Sequence, residues 1–373
     1  MHDPVNWDES LLARYSADMR QFVGARDITL NGMRALHLYN AAGLELLVLP
    51  DRGFDIWDAR FKGLPLTWLA PGSPFPPDWG ADWLRQFNGG LLTTCGLTHV
   101  GPPEIDDLTG EKSGIHGNYT RLRAGNYAVD PAWEFSQPED EVNYYELRYS
   151  ATIRDTSLFG PQLTLKRTYY LSLQNADIGI RDYITNVGDS PAPLMLLYHF
   201  NLGFPLVREG VKLHSSGNVY PRDAAARAGL DVSEEYSAPT ANYREQVFYH
   251  HLRVENSEAK HAHILIGDDS LALHLMWDTD TLPYFTQWKN TRQRQYVNGI
   301  EPGNCIPEGR NSARKSGRLK MLEPGESVGT YLCLTVLDTA EQIAVCRDRI
   351  ESLTADGQPI PACKLDDFAP YKE

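Results

Sequence analysis

The chain has 373 residues, of which 42% are hydrophobic and 23% charged, a make-up that excludes a disordered protein and suits either two ordinary domains or one large all-β domain with a sizeable core. Its net charge of −14 at pH 7 argues against nucleic acid and anionic membrane as partners and leaves an uncharged ligand open. The start, MHDPVNWDES, has neither a basic nor an apolar stretch and no membrane-length apolar run follows, so no signal peptide and no membrane span are expected and the cytoplasm is the expected location.

Along the chain, residues 8–22 place Leu11, Leu12, Tyr15, Met19 and Phe22 on one helical face behind possible cap residues such as Asp8, predicting a short amphipathic helix in an N-terminal extension of about 1–24. From about residue 25 the period becomes two. ELRYSATI alternates Leu147, Tyr149, Ala151 and Ile153; LTLKRTYYLSL alternates Leu163, Leu165, Tyr169, Leu171 and Leu173; IGIRDYITN alternates Ile178, Ile180 and Ile184. Further strands are expected at 44–50, 54–60, 91–100, 194–201, 247–254, 262–267, 271–277 and 329–337, with turns such as NVGDSPAP and EPGES between them. So many strands without alternating helices predict antiparallel sheets packed face to face. A helix returns at about 340–353, within a C-terminal helix and tail of about 339–373, and no repeat or long polar linker divides the chain, so one domain over 1–373 is expected. The Pro-, Gly- and Trp-rich stretch 70–83 reads as a loop forming a lid or wall of a site. Five cysteines, Cys95, Cys305, Cys333, Cys346 and Cys363, are odd in number and never spaced as CxxC, and are read as reduced thiols, neither a disulfide framework nor a zinc site.

Five segments set polar or ionisable groups beside Gly or Pro at strand ends: DRGFDI (51–56), GLLTTCGLTHVG (90–101), SGIHGNYTRL (113–122), LLYHFNLGFP (196–205) and YVNGIEPG (296–303). His199 interrupts an apolar run, either as a core histidine with a satisfied partner or as a group that exchanges a proton near neutral pH. His116, between Ile115 and Gly117, is either a surface turn residue or an imidazole presented to a cleft. Glu301, after Ile300 and before Pro302, is either a common Glu-Pro turn or a carboxylate with a raised pKa able to act as general base. Asp51 and Arg52 read as a strand-end ion pair, with Arg52 also a candidate hydroxyl donor. A histidine and a glutamate approaching a pocket of Trp, Asn and Arg residues would form a metal-free acid and base pair suited to sugars, and Arg85, Asn88, Gln287, Trp288, Lys289 and Asn290 supply those types. His99, in the second segment, is kept with them. HAH at 261–263 sets two imidazoles on one strand face, which could capture a metal but reads first as a solvated face, and FYHH at 248–251 reads as one inward and one outward histidine. Neither a phosphate-binding Gly loop nor GxSxG is present, so nucleotide chemistry and serine hydrolysis have no support.

Taken in order, DRGFDI, GLLTTCGLTHVG, GIHGNYTRL, ITNVGDSPAPLMLLYHFNLGFP, GIEPG and LEPGES ahead of VGTYLCLTVLD resemble the galactose mutarotase-like (aldose 1-epimerase) superfamily and, within it, the DUF4432 branch. The resemblance implies an all-β, antiparallel β-supersandwich with a few short helices and a sugar site in its concave face. It implies His199 as general acid, Glu301 as general base and His116 as a sugar-holding residue, in a ring-opening and reclosing reaction at the anomeric carbon that requires no cofactor. The family's usual N-terminal Arg and central Asp have no clear counterpart here, and Arg85 and Glu245 are the candidates for those places. The expected ligand is a small-molecule carbohydrate. Two other readings stay open at this point: an epimerase, isomerase or lyase acting beside a sugar carbonyl, and a carbohydrate-binding protein without turnover. A homodimer formed through an exposed sheet edge is also compatible with the pattern.

Overall fold

The computed structural model describes residues 12, 14–72, 75–135, 143–255, 258, 260–365 and 368. Three antiparallel sheets dominate. A five-stranded meander runs through Gly24–Leu30, Met33–Tyr39, Leu44–Leu49, Asp55–Phe61 and Leu64–Pro65. An eight-stranded sheet has the order Lys212–His214, His261–Asp268, Leu271–Asp278, Ser327–Leu337, Asp177–Asn186, Gln162–Ser172, Asn143–Thr156 and Gly125–Phe135. The third sheet orders Gly217–Pro221, Gln246–Val254, Tyr284–Arg292, Gln295–Gly303, Leu197–Leu202 and Leu92–Cys95, with Gln358–Pro359 added beside Gln246–Val254. Inner faces meet in one large apolar core in which Leu147, Tyr149, Ile153, Leu163, Leu165, Ile178, Ile180 and Ile184 are all buried, as the period of two requires.

Local differences from the sequence pattern have local causes. The expected strand at 91–100 stops at Cys95, where Gly96 adopts φ +137° and the chain turns, and the one at 194–201 divides into Ala192–Leu194 and Leu197–Leu202. Of the hairpin Tyr284–Arg292 and Gln295–Gly303, only the end of the second strand, in YVNGIEPG, was expected, because the hairpin's polar residues mask the alternation. Of the N-terminal helix, Asp8 and Leu11 lie outside the described residues; Leu12, Arg14 and Tyr15 are helical and a 3₁₀ turn covers Met19–Gln21. The C-terminal helix spans Ala340–Asp356, capped by Thr339. It packs on the eight-stranded sheet through Ile343 and Ile350, and this overturns the solvated reading of HAH: His263 is buried, with Nδ1 3.0 Å from Nε2 of His274. In FYHH, His250 is buried and His251 half-buried, as alternation requires. No helix among the described residues is long and apolar enough to cross a membrane.

One ionic cluster ties the three sheets together. Arg167 occupies an inward position among Leu163, Leu165 and Tyr169, and its register partner Asp182 does the same among Ile178, Ile180 and Ile184. The guanidinium reaches Asp182 Oδ2 at 2.7 Å and Asp55 Oδ1 at 2.7 Å, with the rings of Tyr119, Tyr169 and Tyr198 around it. Thr94 donates to Asp55 through its backbone N–H and its hydroxyl, and the Tyr198 hydroxyl donates to Asp182 at 2.7 Å. Buried charges persist only when paired in this way. Thr94 and Tyr198 are the chain neighbours of Thr93 and His199, so the cluster anchors the strands on which the site is built.

Candidate functional site

His199 reaches the site because Leu197–Leu202 alternates: Tyr198, Phe200 and Leu202 enter the core, and His199 takes the opposite face. The register that pairs Leu197 with Gly303 and Phe200 with Ile300 sets His199 across from Glu301. Cross-strand neighbours on one face lie close, and Nε2 of His199 is 3.2 Å from Oε1 of Glu301. Gly299 makes room for both. A Cβ there would stand 2.8 Å from Glu301 Oε1 and 3.0 Å from His199 Cε1.

His116 arrives from a loop. It adopts φ +54° and is followed by Gly117 at φ +76°, a left-handed pair held by the bonds from His116 N to Gly101 O and from Gly96 N to His116 O. A side chain at Gly117 would collide with Gly96 O at 2.4 Å. A non-glycine residue in that region costs conformational energy and marks a position worth functional attention. The His116 ring lies 6.5 Å from that of His199 and 5.1 Å from that of Trp83, and its Nδ1 is buried without a partner, as is Nδ1 of His199.

These groups line a cavity of about 850 Å³. Aromatic rings form much of its wall: Trp83 stacks on Phe87 at 4.8 Å, and Trp288 stands edge-on to His199 at 5.5 Å and to Trp68 at 6.0 Å. The Trp288 indole N–H donates to Glu245 Oε2 at 2.7 Å. Burial governs the ionisation. It pushes the Glu301 carboxyl up to about 8 and, with the neighbouring His116, pulls His199 down to about 3; His116 falls to about 4, first by burial and then by His99. At neutral pH the His199–Glu301 pair therefore holds one proton, carried by Glu301, with both groups uncharged. Such a pair can give a proton to one oxygen and take one from another within the same cavity.

Of the candidates from sequence, His116, His199, Glu245, Trp288, Asn290 and Glu301 line the cavity, and the others do not. Arg52 is buried and donates to the carbonyls of Phe75 and Gln86 at 3.1 and 2.9 Å, pinning the segment 75–86; its expected partner Asp51 instead pairs with Arg34 at 2.7 Å. Arg85 is exposed at the end of the short Trp83–Gln86 helix, and Asn88 lies in a small internal void with Arg52 and Asp55. His99 is buried, Nε2 bonding Pro102 O at 2.8 Å. Gln287 and Lys289 point to the opposite face of their strand from Trp288 and Asn290. Gln287 bonds His250, Ser233 O and Tyr236, and Lys289 donates to Val232 O and Glu235 O. Strand alternation would have separated these four. Trp68, Trp83, Phe87, Arg222 and Gln295 line the cavity without having been singled out; alternation counted back from Glu301 leads to Gln295, and the Trp-rich loop reading leads to Trp83. Among the described residues no group of three His, Cys, Asp or Glu side chains is placed to hold a metal ion.

Solved structures share this architecture. A protein from Klebsiella pneumoniae subsp. pneumoniae MGH 78578, described provisionally as an aldose 1-epimerase, is 24% identical with a TM-score of 0.80, covering 93% of this chain and 95% of that one. A galactose mutarotase-like protein from Clostridium acetobutylicum is 16% identical, with a TM-score of 0.55 over 86% of this chain and all of that one (100%). Galactose 1-epimerase from Lactobacillus acidophilus NCFM is 12% identical, with a TM-score of 0.53 over 85% of this chain and 99% of that one. At these identities the likeness establishes the fold, a mutarotase-like β-sandwich. None of the curated proteins matches the chain. The family model for the domain of unknown function DUF4432 matches residues 30–336, and the chain belongs to that family.

Proposed function

We propose that the protein is an aldose 1-epimerase-like enzyme that opens and recloses a sugar ring at its anomeric carbon. The observation that carries this reading is the contact of 3.2 Å between His199 Nε2 and Glu301 Oε1 at the wall of a cavity of sugar-accommodating size. In the uncharged resting form, neutral His199 takes the proton of the C1 hydroxyl while protonated Glu301 delivers one to the ring oxygen. The C1–O5 bond breaks and the open aldehyde forms. Rotation about C1–C2 exposes the other carbonyl face. On closure the C5 hydroxyl attacks C1, the Glu301 carboxylate takes back its proton and the His199 imidazolium protonates the carbonyl oxygen, so the pair ends as it began. The resemblance implies the reverse assignment for opening, with Glu301 taking the C1 hydroxyl proton and His199 protonating the ring oxygen; the raised Glu301 and the lowered His199 favour Glu301 as the acid and His199 as the base. The partnerless Nδ1 of His116 is suited to a sugar hydroxyl, and the Trp288 face to an apolar ring face. Each positioned proton transfer contributes about 10²–10⁴-fold.

Anomer interconversion followed by proton NMR across a panel of aldoses, with wild type beside His199→Ala, tests this. Acceleration of at least one aldose that the variant loses is the expected result. Binding without acceleration overturns it in favour of a carbohydrate-binding protein, and solvent deuterium entering the carbon skeleton overturns it in favour of an epimerase or lyase.

A further inference from the structure

We infer that the substrate is the reducing end of an uncharged oligosaccharide of two or more units, an inference that rests on the function proposed above. The cavity runs along the hairpin. Glu301, Gly299, Val297 and Gln295 share one face of their strand and Trp288 and Asn290 continue it on the next; of these Glu301, Gln295, Trp288 and Asn290 line the cavity. Six residues separate Glu301 from Gln295, so at about 3.3 Å per residue the lined face extends roughly 20 Å from the proton-exchanging pair. That length is several times the width of one pyranose ring. The cavity of about 850 Å³ likewise lies near the top of the range of clefts that enclose drug-sized ligands.

The chemistry changes along this length in the way a chain of sugars requires. His199 and Glu301 form the buried end. Trp288 comes next, fixed by Glu245 through the indole N–H, and offers an apolar surface for a ring. Asn290 and Gln295 lie at the far end, half-buried; Asn290 Oδ1 accepts from the Arg292 N–H at 3.1 Å, which leaves its amide N–H groups and the Gln295 amide to meet hydroxyls. Charge selects against phosphorylated sugars. Among the described residues Arg222 is the one Lys or Arg lining the cavity, and its guanidinium is already shared by Asp223 at 3.0 Å and Glu245 at 3.7 Å. Glu245 and Glu308 also line the wall, the first sharing Arg222 and the second paired with Arg318 at 2.7 Å, so among the described residues the wall offers an anion no unshared cation.

The test measures anomerisation kcat/KM for glucose, maltose, cellobiose, lactose, maltotriose and glucose 6-phosphate, together with binding of methyl β-maltoside, which cannot mutarotate. The expected result is at least a tenfold preference for one disaccharide over glucose and glucose 6-phosphate, with Asn290→Ala combined with Gln295→Ala reducing that ratio to near one. If glucose or its phosphate is accelerated as well as every longer sugar, the inference fails while the proposed function stands. If no sugar is anomerised but methyl β-maltoside binds and the double variant weakens that binding at least tenfold, the proposed function fails while the oligosaccharide site stands. If no disaccharide binds or turns over better than glucose, the inference is overturned.

Discussion

Nε2 of His199 lies 3.2 Å from Oε1 of Glu301, two residues 102 positions apart in sequence that antiparallel pairing of Leu197–Leu202 with Gln295–Gly303 sets face to face. Burial leaves this pair with one proton at neutral pH, because the carboxyl titrates at about 8 and the imidazole at about 3. The activity should therefore fall on the alkaline side as Glu301 loses its proton, with a midpoint near pH 8. Glu301→Gln should lower kcat/KM by about 10²–10⁴-fold and abolish that alkaline limb. A pH profile that keeps the same limb in the variant would assign it to another group.

Gly299 has no side chain where the pair needs space. Gly299→Ala would set a methyl 2.8 Å from Glu301 Oε1 and 3.0 Å from His199 Cε1 and drive them apart. Displacements of about 1 Å in such groups cost about 10²-fold in rate. The expected result is a loss of that order in kcat, measured below the thermal midpoint, which overpacking lowers only modestly; retention of full kcat would show that the spacing is immaterial.

Acid should unfold the protein earlier than its carboxylates alone dictate. His116, His250 and His274 titrate at about 4 and His199 and His263 at about 3, each lowered mainly by burial, against about 6.5 in an unfolded chain. The unfolded state binds more protons between those values, so the stability is complete above pH 6.5 and is lost as pH falls toward 3. Glu301 acts in the opposite sense, its raised value adding stability below about 4.5 that disappears as pH rises through about 8. Thermal midpoints measured from pH 7 to 5, above the range in which ordinary carboxylates titrate, should decline steadily. A flat profile there would contradict the buried, uncharged state of these histidines.

Arg167→Met should destabilise the fold by about 3–5 kcal/mol, since it strands the buried carboxylates of Asp55 and Asp182 without their cation. Denaturant unfolding checks this. A replacement of the three charged residues together by apolar ones of similar size should recover much of the loss, which separates the cost of unpaired charge from that of lost volume.

Arg52→Ala should loosen the loop at 75–86, because its guanidinium supplies bonds to the carbonyls of Phe75 and Gln86. Faster hydrogen exchange and proteolysis confined to that loop are expected, with Trp83 and Phe87 less well held against the site. Cleavage spread evenly over the chain would indicate global destabilisation.

The period-two runs at 147–153, 163–173 and 178–184 predicted the antiparallel sheets, since a strand with one buried face writes its pattern locally. Arg167 and Asp182 fall on the inward parity of those runs, but the pattern does not mark them as a pair, which needed the register between two strands. His116 stood out because Gly114 and Gly117 flank it, and His199 because it sets a titratable group among core residues; the left-handed backbone of His116 emerged only with the fold. Glu301 was legible as a carboxylate at a strand end. What could not be read was how polar residues divide between cavity and core. Gln287 and Lys289 carry the same chemistry as Asn290 yet turn inward, and Arg52 serves a loop. That division, the approach of His199 to Glu301 and the shifts in their ionisation all depend on contacts between segments far apart in the chain. Local patterning reports which face of a strand is buried; it carries no information about which distant strand lies beside it, and burial by those neighbours is what moves a proton from one group to the other.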